Sequence, residues 1–123
     1  MTPSATYAPF PHQRLDAYTV AVDLAVAAKA LSDRVPRGLR GLADQLLRAG
    51  TAVPLLVAEG ADRCAAGTKR QRFAEARGEA GECAAAIELG LRLGLFSPAE
   101  GQAATQLASR VSAMLTRLIQ RFA

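Results

Sequence analysis

The sequence has no tryptophan, one histidine and two cysteines, and these scarcities limit the chemistry available to it. Cys64 and Cys83 form no C-x-x-C pair, and we expect reduced thiols in a cytoplasmic protein. His12 lies before the first predicted helix, where we expect it to be exposed to solvent. A Ser-His or Cys-His catalytic pair would need this N-terminal arm to fold back onto the body of the protein.

Several motifs that carry chemistry are also missing. The chain has no G-x-S-x-G nucleophile motif. It also has no phosphate-binding loop of the type G-x-x-x-x-G-K-[ST] or G-x-G-x-x-G. No glutamate has a histidine three residues later, which a di-iron helical bundle would require. We therefore expect no enzymatic activity, no metal site and no cofactor. No apolar run reaches 18 residues without a charge and no signal peptide is visible, so no membrane span is expected.

What the chain does contain is typical of one globular helical domain. It has 123 residues, of which 50% are hydrophobic, with alanine especially frequent. The net charge is +4, and thirteen arginines stand against two lysines. Arginine is the better bidentate donor to phosphate, but the same excess also suits an ordinary solvated surface.

Apolar periodicity predicts four helices, at about 13–34, 39–62, 68–93 and 98–121. Ser97 and Pro98 mark the start of the fourth helix, and Thr68 is the expected N-cap of the third. Short turns join the helices, which predicts an all-α, antiparallel up-down four-helix bundle over residues 12–123. Residues 1–11, with three prolines, are expected to form a flexible arm.

The first predicted helix is apolar on two sides. Leu15, Tyr18 and Val22 share one face, while Val20, Leu24 and Leu31 share nearly the opposite face. One face can pack into the chain's own bundle. The other face predicts packing against another subunit.

The second predicted helix contains three residues that a simple helix would avoid. Gly50 and Pro54 cost helix stability, and Pro54 predicts a kink. Glu59 stands in an apolar run, so it needs a partner, for which an arginine such as Arg48 or a backbone donor is expected. The alternative is that Glu59 contacts a ligand or acts as an acid-base group.

Two basic clusters make nucleic acid a candidate partner. Phe73 lies within the first cluster but belongs to the predicted buried stripe of the third helix. No aromatic side chain is therefore expected to interleave with the exposed cations, and binding would be directed at the RNA or DNA backbone and weakly sequence-specific. Each cluster taken alone is more often a solvated face. The candidate binding residues are Arg63, Lys69, Arg70, Arg72 and Arg77 around the second turn, and Arg110, Arg117 and Arg121 on the fourth helix.

Five short segments carry a family resemblance: Leu15-Asp16-Ala17-Tyr18, Gln45-Leu46-Leu47-Arg48-Ala49, Val53-Pro54, Ala58-Glu59-Gly60 and Ala76-Arg77-Gly78-Glu79-Ala80-Gly81-Glu82-Cys83. With these segments the chain resembles a family of small four-helix bundles encoded in intervening sequences of 23S rRNA genes. The same family includes the accessory variability determinant of diversity-generating retroelements. The chain departs from the family at Ala52 to Val57, where relatives commonly have Ser and Asn, and at Glu79, where relatives tend to have Ser.

The resemblance implies a structural polar network between helices, formed by Gln45, Arg48, Glu59 and Glu82. It also implies a ring assembly, typically a homopentamer, without enzymatic activity, that binds RNA, DNA or a nucleic-acid-processing protein such as a reverse transcriptase. We therefore expect an oligomeric interaction scaffold that contacts nucleic acid through its arginines. The alternative is a protein-binding adaptor ring with no affinity for nucleic acid.

Overall fold

Four α-helices account for most of the described chain. The structure is a computed structural model, and it describes residues 10–123, so nearly all of the predicted arm lies outside the described residues. Within this range the chain forms no strand, and short 3-10 turns at Pro11–Arg14 and Arg37–Leu39 precede the first two helices. The helices are α1 (Asp16–Ser32), α2 (Arg40–Asp62), α3 (Ala66–Arg92) and α4 (Pro98–Arg121).

Short connections determine how the helices pack. Each helix lies against the helix before and after it, and α1 lies against α4, which closes the bundle. Short turns between packed neighbours require antiparallel directions. The predicted all-α four-helix bundle is therefore confirmed.

The start of α4 follows the predicted pattern. Ser97 is the N-cap, and its Oγ accepts a hydrogen bond from the Glu100 backbone N–H at 3.2 Å. Pro98 occupies the first turn, where its missing N–H costs no helical hydrogen bond. At the preceding turn Gly94 has φ +74°, a conformation that glycine adopts without the steric cost of a Cβ.

The start of α3 was predicted wrongly. The helix begins at Ala66 with Ala65 as N-cap, so Thr68 lies inside the first turn. The Thr68 Oγ1 donates to the Ala65 carbonyl at 2.9 Å instead of capping an N–H. Alanine's high helix propensity allows the helix to begin before the polar signal in the sequence.

The two faces of α1 have different surroundings. Val20, Leu24 and Leu31 are buried in the core, where they meet Leu46, Phe73 and other apolar side chains of the remaining helices. The opposite face, with Tyr18, Val22 and Val26, remains at the surface. Val26 keeps 65% of its surface exposed.

The glycines of α2 allow close helix contacts. A Cβ built on Gly50 would lie 2.5 Å from the Cβ of Ala28, and one on Gly60 would lie 2.6 Å from the Phe73 ring. Larger residues at these positions would push α1 or α3 away from α2. The helix continues through Pro54, although Pro54 offers no N–H to the Gly50 carbonyl.

Candidate functional site

The antiparallel fold brings the two basic clusters together at one end of the bundle. The α2–α3 connection and the end of α4 meet there. The Arg70 Nη1 donates to the Phe122 carbonyl at 2.6 Å, and the Lys69 Nζ lies 5.6 Å from the centre of the Phe122 ring. Arg77 also contacts Thr116 of α4, so residues 63–77 and 110–121, distant in sequence, lie in the same half of the bundle, which we call the basic end.

Half of the candidate cations are engaged in contacts within the chain. Lys69 donates to the carbonyls of Gly60 and Ala61, at 3.2 and 2.8 Å, and so satisfies acceptors at the end of α2. The Arg77 Nη1 donates to the Thr116 Oγ1 at 3.2 Å, which links α3 to α4. These residues, with Arg70 and Arg72, primarily hold helices together.

Arg72 joins two carboxylates. Its Nη1 donates to Glu75 Oε1 at 2.7 Å, and its Nε lies 3.2 Å from Glu59 Oε2. The hydrogen bond to Glu75, with the charges of Glu75 and Glu59, raises the pKa of Arg72. The partner of Glu59 is therefore Arg72, across the turn, and the expected partner Arg48 lies elsewhere. Glu59 is exposed at the surface, where it forms this pair.

The other four candidates are available to a ligand. Their side chains are exposed, and among residues 10–123 they make no hydrogen bond or ion pair. Arg110, Arg117 and Arg121 follow one flank of α4 because spacings of seven and four residues return to the same side of a helix. The fourth is Arg63, directly after α2.

The basic end includes a cleft between the start of α1 and the end of α4. Its volume is about 350 Å³. Arg117 and Arg121 line it, and so does Arg14, which the sequence analysis missed because no local pattern linked it to α4. The full lining is Arg14, Leu15, Asp16, Ala17, Met114, Arg117, Leu118 and Arg121.

Three residues of the expected polar network come together between α2 and α3. The Gln45 Nε2 donates to Glu82 Oε2 at 3.0 Å, and the Arg48 Nη2 donates to the same oxygen at 2.7 Å. Glu79 also belongs to this network, because its Oε1 accepts a hydrogen bond from the Arg48 Nη1 at 3.3 Å. The hydrogen bond that Arg48 donates to Glu82 and the charge of Glu79 raise the pKa of Arg48.

Glu59 does not belong to this network. It lies more than three helical turns beyond Gln45 along α2, and its carboxylate pairs with Arg72. The expectation of a single network with four members is therefore corrected to a network of Gln45, Arg48, Glu79 and Glu82 and a separate Glu59–Arg72 pair.

His12 is packed against the bundle, contrary to the expectation of an exposed residue. Its side chain is 17% exposed, and its ring lies between Phe10 and Tyr18, at centroid distances of 5.7 and 4.6 Å. The His12 Nδ1 lies 3.8 Å from Asp62 Oδ1. The 3-10 turn at Pro11–Arg14 folds this segment back over α2, which the sequence pattern did not predict.

Comparison with known proteins places the chain in a family. The family model described as "23S rRNA-intervening sequence protein" matches residues 13–117, which cover α1, α2, α3 and most of α4. The chain belongs to the 23S rRNA-intervening sequence protein family. This confirms that part of the resemblance, while the link to retroelement accessory proteins remains a prediction. The comparison with curated proteins gives no match.

A solved structure shares the fold of this 23S rRNA-intervening sequence protein. It is the crystal structure of a protein of unknown function from the S23 ribosomal protein family of Bacteroides thetaiotaomicron VPI-5482. The TM-score is 0.78 at 17% sequence identity, and the alignment covers 85% of this chain and 98% of the other. At this identity the similarity shows the fold alone.

A second surface of this family member is apolar. A groove of about 500 Å³ runs between α1 and α2. Val26 and Leu55 at its edges are 65% and 64% exposed. We call it the apolar groove. Its lining is Tyr18, Val22, Ala25, Val26, Lys29, Leu47, Thr51, Pro54 and Leu55.

Residues 10–123 contain neither a metal-binding cluster nor a membrane-spanning helix. Within this range, no group of three or more His, Cys, Asp or Glu side chains is arranged to bind a metal ion. In the same range, no helix is both long and apolar enough to span a bilayer.

Proposed function

We propose that this chain is a non-enzymatic, self-associating scaffold whose basic end binds the phosphate backbone of RNA or DNA. The observation that carries the proposal is a group of exposed arginines at the basic end that have no acidic partners among the described residues: Arg63, Arg110, Arg117 and Arg121. Unpaired guanidinium groups attract phosphates without first breaking an ion pair. A cytoplasmic setting fits the two free thiols.

The binding would recognise the nucleic-acid backbone more than its sequence. Between Arg110 and Arg121 the chain contains no aromatic residue, so the α4 stripe offers no platform for base stacking. Contacts from arginines to phosphates position a nucleic acid but do not read its bases. We therefore propose similar affinity for unrelated sequences.

Self-association through the apolar groove supports the same function. Exposed apolar surface of this kind commonly marks a protein interface, and the groove accounts for the second apolar face of α1. A ring of copies, which the family resemblance implies to be a pentamer, would display several basic ends together. Several linked weak contacts raise the affinity for one long nucleic acid.

A salt series with matched variants tests the proposal. Wild type and R110Q/R117Q are compared for binding to a duplex and to a single strand. The control is R37Q/R40Q, which removes the same charge at the opposite end of the bundle, where Arg37 and Arg40 are also exposed. We expect affinity to fall steeply with salt, with a slope of about −0.9 for each duplex phosphate contacted.

The variants distinguish the basic end from general positive charge. R110Q/R117Q should bind more weakly and show a shallower salt slope, while R37Q/R40Q should remain close to wild type. Equal losses in both variants, or no binding at low salt, would overturn the proposal.

The second candidate is a protein-binding adaptor without nucleic-acid affinity. The apolar groove favours it, because a groove of this size can also accept a helix of a different protein. A reverse transcriptase is the partner that the family resemblance implies. Absence of nucleic-acid binding, together with saturable binding of a purified reverse transcriptase that is lost in L55K, would support the adaptor.

A further inference from the structure

The cleft of the basic end differs in shape and chemistry from the rest of that surface. Arg117 and Arg121 come from one wall, on α4, and Arg14 stands on the opposite wall, just before α1. Arg63 and Arg110 do not line the cleft. A ligand on the α4 stripe would meet cations from one side, whereas a group in the cleft would meet them from two.

The floor of the cleft is apolar. Ala17 and Leu118 are buried, and Leu15 and Met114 are half-buried. A surface with an apolar floor and a cationic rim suits a ligand that joins a sugar or base to a charged group. A volume of about 350 Å³ is at the lower end of the usual range for small-molecule sites.

The charge of the cleft favours a doubly charged group. The charged side chains that line the cleft, three arginines and Asp16, carry a formal charge of +2. An internal phosphodiester carries one negative charge, whereas a phosphate monoester carries about −1.5 to −2 at pH 7. The monoester also has three oxygens that can accept hydrogen bonds, so the guanidinium groups of Arg117 and Arg121 can both contact it.

We propose that this cleft binds the terminal phosphate monoester of a nucleic-acid strand. The inference rests on the proposed function and adds a site at which a strand end is held. Arg117 and Arg121, without partners among the described residues, supply the main donors. Arg14 adds charge from the opposite wall, and the apolar floor packs against the terminal nucleoside.

The test compares two forms of one short RNA, with a 5′-phosphate or a 5′-hydroxyl group. Dissociation constants are measured at one low salt concentration for wild type, R117Q, R121Q and R110Q. The matched control is R110Q, because Arg110 lies on the same flank of α4 and is equally exposed, but outside the cleft.

We expect wild type to bind the phosphorylated strand about tenfold more tightly, which corresponds to about 1.4 kcal/mol at 25 °C. In R117Q and R121Q, the dissociation constants for the two strands should become nearly equal. R110Q should weaken binding of both strands and keep the ratio. A free nucleoside 5′-monophosphate in excess should reduce the ratio, because it occupies the cleft without competing for the α4 stripe.

The outcomes separate this inference from the proposed function. Equal affinity for both strands, or a ratio that survives in R117Q and R121Q, would overturn the cleft site while backbone binding stands. If neither strand binds at low salt, the proposed function fails and this inference fails with it.

Discussion

Gly50 of α2 lies directly against Ala28 of α1, so closely that a methyl group on Gly50 would lie 2.5 Å from the Ala28 Cβ. Both residues are buried, and the neighbouring atoms cannot move aside without separating the helices. This contact explains why a residue of low helix propensity stands in the middle of α2.

Gly50→Ala should therefore destabilise the fold. We expect a loss of about 1–3 kcal/mol from overpacking, reduced by the gain of about 1 kcal/mol in helix propensity. The measurement is urea unfolding followed by circular dichroism. Gly78→Ala is the control, because a Cβ at this exposed position in α3 meets no atom within 4 Å. The Gly78→Ala variant should have a higher free energy of unfolding than wild type. Equal destabilisation of both variants would contradict the packing explanation.

Glu100 should contribute to the acid sensitivity of the fold. Hydrogen bonds from Arg34, helped by Ser97, hold the pKa of Glu100 below its ordinary value. A carboxylate with a lowered folded-state pKa adds stability above its unfolded-state pKa, and this stability is lost as pH falls through the folded-state value. The wild type should therefore exceed Glu100→Gln in melting temperature at pH 7, and the difference should shrink below about pH 4.5.

The control for this prediction is Glu88→Gln. The Glu88 Oε2 lies 4.0 Å from the Arg92 Nε, and both side chains are highly exposed. This substitution should therefore change the melting temperature less than Glu100→Gln does. A melting-temperature difference for Glu100→Gln that stays constant from pH 7 to pH 3 would show that the Arg34 contact does not act through the charge of Glu100.

The two thiols should differ in reactivity. Burial raises the pKa of Cys83 to about 11, whereas Cys64 is exposed in the α2–α3 connection. Thiolate is the reactive form, so a thiol reagent at neutral pH should modify Cys64 quickly and Cys83 only after unfolding. Mass spectrometry should show one modified thiol in the native chain and two in denaturant. Fast modification of native Cys64→Ser would contradict this prediction.

The apolar groove should control self-association. Val26→Lys and Leu55→Lys place charges on its exposed edges, where they cost the folded monomer little but would be buried in an interface. Light scattering should report a lower mass for both variants than for wild type. Leu89→Lys and Leu93→Lys change leucines that are also exposed, at 50% and 51%, but lie outside the groove, and these variants should keep the wild-type mass. A monomeric wild type would remove this role from the groove.

The bundle could be predicted because its signals are local. Apolar residues at helical spacing identified the four helices, and Ser97 with Pro98 fixed one helix start through contacts within a single turn. In α3, for example, the buried residues Phe73, Cys83 and Ile87 recur on one side of the helix. Such features depend on neighbours three or four residues away, which the sequence places directly.

The parts of the candidate site that could not be predicted depend on distant neighbours. Arg14 lines a cleft with Arg117 only because α1 packs on α4. Glu59 finds Arg72 across a turn that reverses the chain, and His12 is covered because the preceding segment folds back. The apolar periodicity of a single helix contains no information on these contacts. The sequence therefore identified the charged residues but not which of them remain without a partner inside the chain and can bind a ligand.

The short connections of the bundle also affect how quickly it forms. Because consecutive helices are neighbours in space, much of the packing joins residues that are close along the chain, and little loop entropy opposes the first contacts. Helical proteins of this low contact order fold within about microseconds to milliseconds. At micromolar concentrations and ordinary association rates of about 10⁶ M⁻¹s⁻¹, copies meet on the scale of a second. Each copy would therefore finish folding before it encounters another, and any assembly would proceed between finished bundles.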